Sequence, residues 1–147
     1  HSRDGSPYSD PNLLEREVIR AARDVGIRIA LLRVAYARAG YQTEANPQQV
    51  RFIEDTPDLY LKNLEQLLDV NDDDLAWIGV APHSVRAVPL DYLKAIVAFA
   101  NERALPVHMH VAEQPAEVSA CIAEYGRSPV ALPGTEASIS SKARSKT

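Results

Sequence analysis

The sequence predicts an α/β fold in which parallel strands are joined by right-handed helical crossovers. Three observations carry that expectation. Short apolar runs of strand length alternate with amphipathic stretches of helix length, each apolar run gives way to polar residues at its carboxyl end, and Gly or Pro marks most of the boundaries. The chain has 147 residues, 46% of them hydrophobic and 24% charged, which suits one globular core.

The elements follow in order. After a Gly/Pro/Ser-rich lead over residues 1–9, Asp10 is suited to cap a helix that has Pro11 at its first position. Leu14, Val18, Ala21, Ala22 and Val25 form its apolar stripe, and Gly26 stops it. Ile27 to Val34 is a nearly continuous apolar run, as expected of a strand buried on both faces. Arg33 lies inside that run and needs a partner or a route to solvent. A connection rich in Gln and Asn leads to Thr56-Pro57, which opens a second helix carrying Tyr60, Leu61, Leu64, Leu67 and Leu68. Asp72 to Asp74 reads as a solvated turn, because the spaced ligands and turn glycine of a calcium loop are absent.

Leu75 to Ala81 is the second strand, with Trp77 in the core or the sheet wall. Pro89 to Ala104 is a helix with Leu93, Ile96, Val97 and Ala100 on one face. Pro106 to Val111 is the third strand, and Pro115 to Tyr125 a helix closed by Gly126. Residues 1–131 are read as the structured unit and 132–147 as a disordered or non-native tail, rich in Ser and Lys without apolar periodicity.

Charge and composition exclude several classes. A formal charge of −4 offers no basic face for nucleic acid. No apolar run approaches the roughly 20 residues of a membrane span, and no signal-peptide pattern precedes the first helix. The lone Cys121 cannot form an internal disulfide, so a reducing, cytoplasmic setting is expected. Its helical position suits packing more than reactivity. Open edges on the first and last strands favour self-association into a homo-oligomer.

The chemistry-bearing residues gather where such a fold puts its sites, at the carboxyl ends of strands. Tyr36 and Arg38 follow the first strand as pocket-rim candidates, His83 and Arg86 the second, and His110 and Glu113 the third. The stretch Pro106-Val-His-Met-His-Val-Ala-Glu-Gln114 is the most specific of these. An extended run ending in His-x-x-Glu can set an imidazole on a metal and a proton-carrying carboxylate beside the water that the metal activates. Catalytic zinc typically takes three protein ligands, so one strand cannot close such a site. His108 shares a strand face with His110 by the period of two, and packing along that face accounts for it. Other readings stay open at this point: Glu113 as a first-turn carboxylate favoured by the helix dipole, Arg86 as a surface ion pair, and His83 as a loop cap.

Ala81-Pro-His-Ser-Val-Arg-Ala-Val88, followed one crossover later by His108-Met-His-Val-Ala-Glu-Gln114, resembles the formimidoylglutamate deiminases of the amidohydrolase superfamily. The similarity extends from the lead through Arg33-Val-Ala-Tyr-Ala-Arg-Ala-Gly40 to about Val130. The paired motifs are specific to that subgroup, whereas His-x-x-Glu alone indicates only the superfamily. The resemblance implies a (β/α)8 barrel, here about three parallel βα units corresponding to barrel strands 3–5. It also implies one divalent metal, zinc, and hydrolysis of N-formimidoyl-L-glutamate to N-formyl-L-glutamate and ammonia in histidine degradation. It makes His110 a metal ligand, Glu113 the catalytic acid/base, and His83 and Arg86 substrate contacts, with the guanidinium fork suited to a glutamyl carboxylate.

The family's first-strand His-x-His pair, sixth-strand histidine and eighth-strand aspartate have no counterpart in this sequence, which also opens at His1 rather than Met. The expectation is therefore the central part of a longer barrel, inactive in isolation and possessing no complete metal site. Two alternatives accompany it. One is a non-catalytic α/β fragment that self-associates; the other is a superfamily deaminase acting on a nucleobase, which would offer Arg86 no carboxylate.

Overall fold

The computed structural model describes residues 2, 4, 6, 8–69 and 74–132. Helices α1 (Leu13–Val25), α2 (Pro57–Asp69), α3 (Leu90–Arg103) and α4 (Pro115–Tyr125) alternate with strands β1 (Ile29–Ala35) and β2 (Ala76–Pro82). A 3-10 turn at Val50–Phe52 lies in the long connection after β1. The strands are parallel and in register from Ile29 opposite Ala76 to Ala35 opposite Pro82. The expected α/β class and parallel crossovers are present.

Alternation along the strands separates two faces. Ile29, Leu31, Arg33 and Ala35, with Ala76, Ile78, Val80 and Pro82, turn toward the helices and are buried or half-buried. There they meet Tyr60, Leu64 and Leu67 of α2 and Leu93, Ile96 and Val97 of α3 in one core. The opposite face carries Ala30, Leu32, Val34, Trp77, Gly79 and Ala81. Trp77 on that face is 53% exposed, so of its two expected places, the core and the wall of the sheet, it takes the second: position 77 is out of phase with Ala76 and Ile78.

The third expected strand is present as a segment rather than a full ladder. Val80 N–H donates to the Pro106 carbonyl at 2.9 Å and His108 N–H to the Val80 carbonyl at 2.9 Å, giving one parallel bridge between Val80 and Val107. Two prolines account for its shortness. The next ladder bonds on either side would need an N–H at Pro82 or Pro106, and proline has none. Gly79 lets the segment approach closely, since a Cβ there would stand 2.8 Å from Pro106 Cγ and 2.9 Å from Leu32 Cδ2.

Helix boundaries follow local chemistry. Thr56 Oγ1 accepts the Leu59 N–H at 3.2 Å, the expected cap of α2. α1 starts two residues later than expected, at Leu13, while Asp10 Oδ1 accepts the Asn12 N–H at 2.9 Å just before it. Gly26 ends α1 with φ 73°. The apolar stripe expected to bury α1 does so only in part: Ala22 and Ile19 are buried, whereas Leu14, Val18 and Val25 are exposed. Leu14 and Val18 instead flank an open groove beside β1, shared with Val34, Phe52 and Leu59, with no described element lying over it.

Arg33 has its partner. Its guanidinium makes a two-pronged ion pair with Glu54 at 2.7 and 2.9 Å, donates from Nε to Asn12 Oδ1, and lies 4.9 Å from the Tyr60 ring centroid. Asn63 donates to Glu54 Oε1 at 2.8 Å, and Asn12 to the Asn63 carbonyl at 2.7 Å. This buried network ties β1, the chain before α1, the Glu54 connection and α2 together. Leu132 is buried in the core, and the rest of the expected tail, 133–147, lies outside the described residues, as do Asp72 and Asp73 of the expected acidic turn.

Candidate functional site at the strand ends

The carboxyl ends of the two strands and of the third segment converge. His83 N–H donates to the Ala35 carbonyl and His110 N–H to the His83 carbonyl, both at 3.0 Å, so the main chain links the three exits in a row. The side chains follow. Tyr36 meets His83 edge to face at 5.1 Å between centroids, and His83 meets His110 in the same manner at 5.2 Å. His108 and His110 are exposed on the open sheet face, while Val107 and Met109 pack against the core, as the period of two requires.

Arg86 stands on the turn after β2, half-buried, with Nη1 donating to the Ala39 carbonyl at 2.9 Å. Its other guanidinium nitrogens have no hydrogen-bond partner among the described residues. Glu113 is exposed, and its N–H donates to Glu117 Oε2 at 2.8 Å. The four sequence-expected residues share one electrostatic neighbourhood. Burial first, then the charges of Arg86 and His110, hold the His83 imidazole below its ordinary pKa, while Glu113 and Glu117 oppose that shift. The shift favours the uncharged imidazole, whose Nδ1 lies 3.1 Å from Ser84 Oγ.

Of the two rim candidates, Tyr36 joins the row through its ring, and Gln49 Nε2 donates to its hydroxyl at 3.1 Å. Arg38 does not. It turns toward α4 and grips Glu124 at 2.7 and 2.8 Å, with Nε donating to the Arg86 carbonyl at 3.0 Å. Arg38 therefore clamps the turn that carries Arg86 against α4. Cys121 is buried, and burial, followed by Glu117 and Glu124, pushes its thiol pKa up, so it packs rather than reacts.

Sequence reasoning missed three acidic residues here and in the core. Glu124 and Glu54 each answer an arginine far away in sequence, and no local pattern announces such a pairing. Glu117 carries a usable signal, a glutamate in the first turn after Gln114-Pro115.

Among the described residues, no three His, Cys, Asp or Glu side chains gather closely enough to hold a metal ion. His110 and Glu113 are of the right chemical kind for one arm of such a site, and the remaining ligands would have to come from elsewhere. The amidohydrolase family model matches residues 7–136. The chain belongs to the amidohydrolase family. It is similar to the formimidoylglutamate deiminase of Pseudomonas aeruginosa, with 38% identity over 131 residues, 88% of this chain and 28% of that protein. A 5-methylthioadenosine/S-adenosylhomocysteine deaminase from Desulfovibrio desulfuricans is 33% identical over 122 residues, 83% of this chain and 26% of that protein.

The crystal structure of an amidohydrolase from Brucella melitensis superposes with a TM-score of 0.74 at 37% identity, covering 92% of this chain and 30% of the other. That of an adenosine deaminase from Xanthomonas campestris with bound zinc gives 0.59 at 25% identity, covering 76% and 23%. The chain thus spans under a third of the length of these amidohydrolases. Its two paired strands and third segment are an arc of an incomplete (β/α)8 barrel, with His83 and His110 at the carboxyl-end rim where barrel enzymes place their sites.

Proposed function

We propose that this chain carries the part of a deiminase active site that reads and protonates its substrate, acting on N-formimidoyl-L-glutamate to give N-formyl-L-glutamate and ammonia. The observation that carries the reading is the contact of His83 with His110, with Arg86 and Glu113 in the same electrostatic neighbourhood. The 38% identity to the Pseudomonas aeruginosa deiminase supports it. Residues 1–131 correspond on this reading to the middle of a barrel, strands 3–5, and the setting is cytoplasmic, within histidine degradation.

Arg86 has guanidinium donors without a partner among the described residues, in a planar fork that a glutamyl carboxylate accepts in two parallel bonds. Uncharged His83 beside it offers a hydrogen bond to the same substrate. His110 would hold the metal, zinc by analogy with the zinc-bound family structure. The metal supplies a water made acidic enough to attack at neutral pH. Glu113 would accept a proton from the attacking water and would return one to the departing nitrogen as the carbon–nitrogen bond breaks. Water in and ammonia out balance the reaction. One ligand cannot retain a catalytic metal, so the chain alone is inactive and the open sheet face favours self-association.

The test is a chimera in which residues 7–136 replace the matching stretch of the Pseudomonas aeruginosa enzyme. Ammonia release from N-formimidoyl-L-glutamate is expected, and a chimera that folds and binds zinc yet leaves this substrate untouched overturns the reading. The deaminase relatives favour a second possibility, an adenosine-type substrate. Deamination of 5-methylthioadenosine or S-adenosylhomocysteine by the same chimera, insensitive to Arg86→Ala, would select it.

A further inference from the structure

Glu117 is only 2% exposed, yet just one of its carboxylate oxygens has a partner among the described residues. Oε2 accepts the Glu113 N–H at 2.8 Å, while Oε1 is buried without a hydrogen bond. The orphaned oxygen offsets part of what a first-turn carboxylate gains from the helix dipole. The reach of Glu117 is also unlike that of an ordinary helix cap. In a capping box the third helical residue reaches back to the N-cap N–H, here Gln114, whereas Glu117 passes over Gln114 to bind Glu113.

The turn that it holds is strained. Ala112 has φ 56°, a left-handed conformation that a Cβ disfavours. Two hydrogen bonds bracket this turn: His110 N–H to the His83 carbonyl before it, and Glu113 N–H to Glu117 after it. Among the described residues, no side-chain hydrogen bond or ion pair of Glu113 itself fixes its direction.

We propose that Glu117 is a positioning residue that anchors the Glu113 peptide and so aims the Glu113 carboxylate at the rim shared by His83 and His110. The role of Glu113 rests on the deiminase reading; the anchoring does not.

Amide hydrogen exchange by NMR on the full chain tests it, with urea unfolding as control. Glu117→Leu is expected to speed exchange of the Glu113 amide about ten-fold and shift its resonance toward that of a solvated amide. The His108 amide, bonded to Val80, and the urea midpoint should hold. Glu117→Gln keeps an acceptor oxygen, so protection at Glu113 should persist while its proton resonance alone moves upfield with loss of the charge. The Gln variant serves by itself if the Leu variant fails to fold. An unmoved Glu113 resonance in the Gln variant overturns the proposal, as does equal acceleration at Glu113 and His108 in the Leu variant. Neither readout needs metal or turnover. A chimera inactive on formimidoylglutamate, with the Glu113 amide still following position 117, refutes the functional reading and leaves the anchor standing.

Discussion

The imidazoles of His83 and His110 meet edge to face 5.2 Å apart, although they leave different stretches of chain 27 positions apart in sequence. The main-chain bond from His110 N–H to the His83 carbonyl fixes this meeting, so it depends on the backbone register of the third segment beside β2. Changes to that register should disturb the site before they disturb the core.

Gly79 tests that dependence. Gly79→Ala places a Cβ 2.8–2.9 Å from Pro106 and Leu32, and the Pro106 carbonyl is backbone that cannot rotate aside. We expect a loss of roughly 1–3 kcal/mol in urea unfolding, the usual range for overpacking. Nuclear Overhauser contacts between the His83 and His110 rings should weaken as the segment is displaced. Unchanged stability together with unchanged ring contacts would show that the close approach is dispensable.

Arg86 is expected to govern substrate affinity rather than metal content. On the proposed reading, Arg86→Ala in the chimera weakens binding of N-formimidoyl-L-glutamate by about 10- to 100-fold, the worth of hydrogen bonds to a charged partner. Zinc content should be retained. Arg86→Lys should recover only part of the loss, because an ammonium lacks the fork. Equal KM values for wild type and Arg86→Ala would remove Arg86 from the substrate.

The Arg33–Glu54 pair is a structural prediction independent of function. Glu54→Ala leaves a buried guanidinium without its carboxylate and should cost about 3–5 kcal/mol in urea unfolding. Adding Arg33→Met should restore much of that loss, since it removes the stranded charge. A Glu54→Ala variant as stable as the parent would mean that Arg33 reaches solvent.

Much of this architecture was legible in the sequence because its causes are local. The apolar faces of α2 and α3 repeat at helical spacing, Thr56 caps where its hydroxyl is needed, and Gly26 and Gly126 end helices at positive φ. The meeting of His83 with His110 was legible for a different reason: parallel strands bring their carboxyl ends to one rim.

What escaped was set by tertiary contact. Nothing near Arg33 or Arg38 in sequence names Glu54 or Glu124 as the partner. Trp77 and the Leu14–Val18 stripe look like core residues by type, but they face a side of the sheet and a groove that no described element covers. The short third ladder was readable in principle, because Pro82 and Pro106 each remove the N–H that its extension requires.

On the proposed reading Glu113 is the group that carries the proton, and the most direct measurement is kcat for ammonia release by the chimera and by its Glu113→Gln variant. We predict a fall in kcat of about 10²- to 10⁴-fold, with zinc content and KM nearly unchanged, the signature of lost acid/base catalysis. A Glu113→Gln chimera that turns over N-formimidoyl-L-glutamate at the parent rate would contradict the account.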